Sequence, residues 1–118
     1  MKAKRIETNH RLSQAAVHGN TVYLTGQVGT PGQSVKEQTE TILASVDRLL
    51  VAAGSSKANV LQATIWLADI GDFSQMNEAW DAWVDHSSPP ARSTCEARMT
   101  SPEYRVEITV IAALADPS

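Results

Sequence analysis

The chain has 118 residues, a mass of 12.7 kDa and a formal net charge of -3; 42% of its residues are hydrophobic and 19% are charged. This length favours a single domain over residues 1–118, and the apolar fraction excludes a disordered or low-complexity chain. The net negative charge and the lack of any run of five like charges argue against nucleic acid as a partner. The single cysteine cannot form an intrachain disulfide, and no apolar run is long enough for a secretory signal or a membrane span. A soluble cytoplasmic protein with no membrane partner is therefore expected.

The N-terminal third of the sequence predicts a β-hairpin and then a loop. Two apolar or β-branched runs, residues 15–17 and 21–28, flank the turn-forming residues 18–20. Residues 29–33 contain two glycines and a proline, which the interior of a strand or helix tolerates poorly.

A helix is predicted from Val35 to Ala53. Ser34 and Glu37 have the spacing of a capping box, and Gly54 stands where a left-handed C-terminal residue belongs. Apolar residues recur at helical spacing between these two signals: Val35, Ile42, Val46, Leu49, Leu50 and Ala53.

The remaining sequence predicts a strand, a second helix and two further extended segments. Residues 61–67 alternate between apolar and other side chains, with Leu61 in the apolar row. Asp72 and Gln75 resemble the cap of a helix that ends before Ser87. Residues 92–98 are predicted to be extended, residues 100–102 to form a turn, and residues 104–113 to form a long strand.

This order of elements predicts an α+β fold with both helices on one face of the sheet. Two helices cover only one face of a sheet of five or six strands. The row opposite the core positions contains Trp66, Ile111 and Ala113, so the second face is not purely polar. We therefore expect identical subunits to pack sheet against sheet.

The sequence favours structural roles for its possible metal ligands, phosphate-loop glycines and base-stacking tryptophans. The histidines and the cysteine share no metal-ligand spacing, which favours exposed or turn positions for them: His10, His18, His86 and Cys95. No phosphate loop is expected, because the glycines at 26, 29 and 32 are spaced by three and lack the P-loop lysine. Two tryptophans at 80 and 83 could stack on bases, but their helical spacing with Met76 favours core packing.

Arg92 and Glu107 are the most suggestive charged pair. Each lies in a predicted strand, and a hairpin turning near residues 100–103 would bring the two strands side by side. Residue spacing leaves two readings open, a functional pair and a cross-strand ion pair on a solvated face.

Short segments along the whole chain resemble the Rid family, also called the YjgF/YER057c/UK114 family. The C-terminal part of the resemblance consists of PARST at residues 90–94, RVEI at 105–108 and IA at 111–112. The rest consists of SQA at residues 13–15, TGQ at 25–27 and MN at 76–77. These segments follow one another in the family's order.

The resemblance implies a chorismate-mutase-like, ferredoxin-like α+β fold assembled as a homotrimer, with clefts between neighbouring subunits. It also implies a hydrolase of the 2-iminobutanoate/2-iminopropanoate deaminase type. Such enzymes convert short-lived 2-imino or 2-enamino acids, such as 2-aminoacrylate, to 2-keto acids and ammonia without a cofactor. The expected partners are small 2-imino or 2-keto carboxylic acids and other copies of the chain.

The resemblance also implies roles for individual residues. Arg92 matches the arginine that binds the substrate carboxylate, and the Thr94 backbone amide matches a second donor to that carboxylate. Glu107 matches the catalytic acid that positions or activates water. Gly26 matches a glycine whose carbonyl faces the substrate nitrogen, and Asn77 matches a pocket asparagine.

Three positions depart from the deaminase pattern. Leu12 stands where the deaminases carry a tyrosine, and Thr94 stands where they carry a cysteine. Cys95, one place further along, should point to the opposite face of the strand. These changes alter the pocket walls, so the substrate stays open.

Two other functions were considered. A non-catalytic carboxylate binder or holdase-like trimer would fit the altered walls. An endoribonuclease or translation inhibitor fits poorly, because RNA binding normally needs a clustered basic surface.

Overall fold

The computed structural model describes residues 2–115, which form a layer of two helices packed on one mixed sheet. The elements in chain order are β1 (Lys4–Thr8), β2 (Ser13–His18), β3 (Thr21–Leu24), β4 (Gln27–Val28), α1 (Val35–Ala53), β5 (Val60–Leu67), α2 (Phe73–Trp83), β6 (Ala91–Glu96) and β7 (Val106–Ala113). Short 3-10 turns, Lys57–Asn59 and Ile70–Asp72, precede β5 and α2.

The sheet has the order β1-β2-β3-β7-β5-β6, and β4 continues the line of β3 along β7. Every neighbouring pair is antiparallel except β5 and β6, which run parallel. Helix α1 packs on the sheet, and α2 packs beside α1 over the same core. The predicted α+β architecture with both helices on one face is confirmed.

Helix α1 has the predicted bounds and both predicted ends. The Glu37 N–H donates to Ser34 Oγ at 3.1 Å, and the Ser34 N–H donates to Glu37 Oε1 at 3.0 Å. Hydrogen bonding of the Glu37 carboxylate by Ser34, first through its backbone and then through its side chain, lowers the pKa of Glu37 below its usual 4.5. Gly54 ends the helix with φ 87°, where a side chain would be strained.

The hairpin of β2 and β3 is also confirmed, with a tighter turn than predicted. His18 pairs with Thr21, so the loop contains only Gly19 and Asn20. Gly19 occupies the first central position of this turn with φ 61°. A glycine with positive φ at that position is typical of a type II′ turn.

Asp72 directly precedes α2 at the predicted N-cap position, but the predicted capping by its side chain is wrong. The Asp72 side chain makes no cap hydrogen bond, because its carboxylate pairs with Arg105 at 2.6 Å. Asp69 instead accepts a hydrogen bond from the Gly71 N–H at 2.8 Å and stabilises the 3-10 turn that leads into the helix.

Strand β5 contains a bulge that the alternation did not predict. Val60 pairs with Ala112 and Gln62 with Ile111, which leaves Leu61 as an extra, exposed residue. The prediction that Leu61 lies in the apolar core row is therefore wrong, and Val60 takes that place in the core.

The predicted hairpin between the strands of Arg92 and Glu107 is wrong as well. Strand β5 lies between β6 and β7, so the two strands are not neighbours. Arg92 pairs with Ala63, a buried residue of the helix-covered face, whereas Glu107 pairs with Trp66 on the other face. Since side chains alternate between faces along each strand, Arg92 and Glu107 project to opposite sides of the sheet.

Neither helix lies over this second face, which is called the open face below. It presents Tyr23, 47% exposed, together with the half-buried Trp66 and Ile111. No helix among residues 2–115 has the length and apolar character needed to cross a membrane.

Candidate functional site

Arg92 lies on the helix-covered side of β6, the edge strand of the sheet. Its Nη1 donates to Asn77 Oδ1 of α2 at 2.7 Å. The guanidinium carbon lies 5.3 Å from the ring centroid of Trp80 and 5.7 Å from that of Phe73. An amide oxygen and two aromatic faces thus hold the guanidinium without neutralising it, since none of the ion pairs within residues 2–115 involves Arg92.

Helix α2 brings these partners together through its periodicity. Phe73, Asn77 and Trp80 are spaced by four and then three positions, so they share one side of the helix. Trp80 is buried in the core, and the half-buried Trp83 packs beside it with ring centroids 5.2 Å apart. The prediction of core packing for the two tryptophans is confirmed.

Thr94 lies two residues beyond Arg92 and faces the same side of β6. Its Oγ1 is buried and has no hydrogen-bond partner. Cys95 is exposed and pairs with Trp66 of the open face, so its predicted orientation opposite to Thr94 is confirmed.

Glu107 and Gly26 form a second group, on the open face. An added Cβ at Gly26 would overlap the carboxylate of Glu107, so the carboxylate occupies the space that a side chain would need. Glu107 also borders a cavity of about 280 Å³ whose other lining residues are Trp66, Ala97, Arg98, Met99 and Thr100.

Leu12 lies at the same end of the sheet as Gly26. The residue after it, Ser13, accepts a hydrogen bond from Thr25 Oγ1 at 2.6 Å through its carbonyl oxygen. Leu12 is 41% exposed, and its apolar side chain offers no hydroxyl to this end of the sheet.

The structure thus divides the predicted site residues into two groups. Arg92, Asn77 and Thr94 lie on the helix-covered side of β6, while Glu107 and Gly26 lie on the open face. One chain alone does not bring Arg92 and Glu107 together. Residues 2–115 also contain no group of three or more side chains arranged to hold a metal ion.

A buried glutamine that was not predicted supports the segment next to Glu107. Gln38 is 1% exposed, and its Nε2 donates to the carbonyls of Gln33 and Glu103 at 3.2 and 3.1 Å. Its Oε1 accepts from the Arg105 N–H at 2.9 Å. The available signal was a polar residue on the apolar face of α1, three positions after Val35.

Comparison with known proteins identifies the family. Residues 2–114 match the family model described as Endoribonuclease L-PSP. The chain belongs to this family, also called the YjgF or Rid family. The family predicted from short sequence segments is therefore confirmed.

Individual relatives agree with this Rid-family assignment. A RutC family protein of Haemophilus influenzae is 47% identical over 114 residues, covering 95% of this chain and 98% of the relative. The crystal structure of NMB1025, a YjgF family member from Neisseria meningitidis, matches with a TM-score of 0.96 at 43% identity and covers 98% of each chain. A Bos taurus protein named 2-iminobutanoate/2-iminopropanoate deaminase is 37% identical over 108 residues, covering 85% of this chain and 77% of the relative.

Proposed function

We propose that this Rid-family protein hydrolyses small 2-imino or 2-enamino acids to 2-keto acids and ammonia, without a cofactor, in clefts between the subunits of a homotrimer. The observation that carries the proposal is the environment of Arg92, a held but unneutralised guanidinium. The name of the bovine relative supports the reaction class.

Arg92 binds the substrate carboxylate in this proposal. A guanidinium is planar and permanently charged, so it can hold a carboxylate through two parallel hydrogen bonds. Asn77 and the two aromatic rings restrict the guanidinium before substrate arrives, which lowers the entropic cost of forming that pair. The adjacent imine carbon is thereby fixed in position.

Glu107 acts on the water that attacks the imine carbon. The carboxylate accepts a proton from the water as the water oxygen adds to the protonated imine, giving a carbinolamine. The same proton then passes to the carbinolamine nitrogen, the C–N bond breaks, and ammonia leaves the 2-keto acid behind. A general base of this kind typically contributes about 10² to 10⁴ in rate. Gly26 leaves room for the carboxylate, because any side chain there would displace it.

The two groups complete one another when Arg92 of one copy meets Glu107 of a neighbouring copy. Within one chain they lie on opposite faces of the sheet, with β5 between their strands. The uncovered open face, with its apolar Tyr23 and Trp66, is suited to packing against a second copy.

An oxidase-coupled assay tests the proposed reaction. An amino-acid oxidase generates the imine, and the decay of the imine is followed with and without the protein. We expect faster decay with the wild-type protein and no acceleration with Arg92→Ala. The Lys4→Gln variant, which removes a positive charge from the helix-covered side of the opposite edge strand, should behave like the wild type. Wild-type protein that accelerates none of several imines would refute the proposal.

The altered pocket walls favour one second candidate, a small-carboxylate binder without turnover. Leu12 and Thr94 replace a tyrosine hydroxyl and a cysteine thiol of the deaminase pattern. Titration calorimetry would then show 2-keto acid binding while the imine assay shows no acceleration.

An RNA-cleavage assay, run beside the calorimetry, tests the activity named in the family description.

A further inference from the structure

The cavity beside Glu107 contains a second arginine to which neither the fold nor the proposed reaction assigns a role. Arg98 lines this cavity of about 280 Å³ together with Trp66, Met99 and Glu107. It also lines an adjoining cavity of about 500 Å³ at the end of β5, near Asp69 and Tyr104. Arg98 thus lies between the two cavities and borders both of them.

Arg98 has no acidic partner within residues 2–115, a property that it shares with Arg92. Arg48 pairs with Glu7, Arg105 with Asp72, and Lys36 with Glu78. None of these ion pairs includes Arg98, and its side chain is exposed. Its guanidinium charge is therefore open to an anionic ligand.

The backbone around Arg98 is nevertheless anchored. The Ala97 N–H donates to the Leu67 carbonyl at 2.9 Å, and the Ala68 N–H donates to the Arg105 carbonyl at 3.0 Å. Gln38 holds the far side of the same segment through Glu103 and the Arg105 N–H. Arg98 therefore extends from a fixed base at the edge of the cavity that contains Glu107.

We propose that Arg98 binds a second carboxylate of the substrate, so that the protein prefers 2-imino dicarboxylic acids. The inference rests on the proposed function, in which Arg92 of the neighbouring copy holds the carboxylate next to the imine. Glu107 acts at the imine carbon between them. A substrate with an acidic side chain would then meet one guanidinium at each end, and a neutral substrate would leave Arg98 unused.

A matched substrate pair tests this preference. The imine of glutamate has a terminal carboxylate, whereas the imine of norvaline has the same chain with a methyl group in that place. For wild-type protein we expect kcat/KM to favour the glutamate imine by roughly two- to fivefold, the range for an exposed charge pair. Arg98→Gln should lower kcat/KM for the glutamate imine alone, and Arg98→Lys should retain part of the preference.

The control separates local from general charge effects. Lys4→Gln removes a positive charge from the helix-covered side of β1 and should leave the preference unchanged. A wild-type protein without preference, or an Arg98→Gln variant that affects both imines equally, would overturn the assignment while leaving the deaminase proposal in place.

Product binding decides the role of Arg98 even if the deaminase proposal fails. Should the wild-type protein accelerate neither imine, calorimetry with the two corresponding 2-keto acids, 2-oxoglutarate and 2-oxopentanoate, replaces the rate measurement. Tighter binding of 2-oxoglutarate that disappears in Arg98→Gln supports the dicarboxylate site. Equal binding of both acids, or binding of neither, contradicts it.

Discussion

The Arg92 guanidinium is held in a fixed orientation, and no acidic side chain within residues 2–115 pairs with it. Asn77 supplies a neutral oxygen at 2.7 Å, and the rings of Phe73 and Trp80 supply polarisable faces. An acid at the position of Asn77 would hold the same guanidinium and also neutralise it. The amide of Asn77 therefore holds the Arg92 guanidinium and leaves its positive charge in place.

Replacing Asn77 by aspartate tests this distinction. Asn77→Asp should raise KM for an imino acid by roughly tenfold, because the new carboxylate competes with that of the substrate for Arg92. The fold should stay intact, since the new pair is itself favourable. Asn77→Ser, which removes the hydrogen bond without adding a charge, is the matched control. A KM in Asn77→Asp no higher than in Asn77→Ser would contradict the competition.

The glycines on either side of β4, Gly26 and Gly29, predict separate effects on activity and stability. A Cβ at Gly26 would meet the flexible end of the Glu107 side chain, whereas a Cβ at Gly29 would lie 2.7 to 2.9 Å from the Cβ, Cα and carbonyl oxygen of Gln38. Gly26→Ala should therefore lower kcat by displacing Glu107 and leave the melting temperature nearly unchanged. Gly29→Ala should lower the melting temperature, because helix backbone cannot move aside. Imine assays and thermal unfolding of both variants check the contrast, and a destabilised Gly26→Ala would contradict it.

Elements set by local chemistry were the most predictable from sequence. The capping box and Gly54 defined both ends of α1 because each acts within a few residues of the helix end. Strand β1 carries no such signal. It is an exposed edge strand in which only Ile6 is half-buried, so its sequence has no apolar period to detect.

The cap of α1 makes stability depend on pH in a defined direction. The folded-state pKa of Glu37 lies below the usual 4.5, so its stabilising contribution is present above that pH and is lost as pH falls through the folded-state value. Between pH 6 and roughly pH 3, the melting temperature of Glu37→Gln should therefore fall less than that of the wild type. Thermal unfolding over this pH range measures the difference. Glu40→Gln removes the same charge elsewhere on α1 and should keep the wild-type pH dependence. Identical pH dependence in Glu37→Gln and wild type would rule out this contribution.

The order of strands was the least predictable element-scale feature. Sequence proximity suggested that the strands of Arg92 and Glu107 form a hairpin, but β5 inserts between them. That insertion depends on long-range pairing, which no local spacing encodes. The alternation along β7 did indicate the face of Glu107. Glu107 lies between Val106 and Ile108 of the buried row, so its side chain projects to the other face.

At the scale of the molecule, the two groups of site residues belong to different faces of one sheet. The separation follows from the register, in which Arg92 pairs with Ala63 and Glu107 with Trp66. The sequence segments identified the family and its candidate residues, but they did not show that one chain holds the two groups apart. The proposed cleft between copies would bring the two groups together.

Complementation between two inactive variants tests that shared cleft most directly. Arg92→Ala and Glu107→Gln, each purified alone, should fail to accelerate imine hydrolysis. Co-expressed in equal amounts, they should form mixed oligomers in which roughly one quarter of the clefts combine an intact arginine with an intact glutamate. The mixture should therefore show about that fraction of wild-type activity. Activity no higher than that of either variant alone, in oligomers shown to contain both chains, would contradict it.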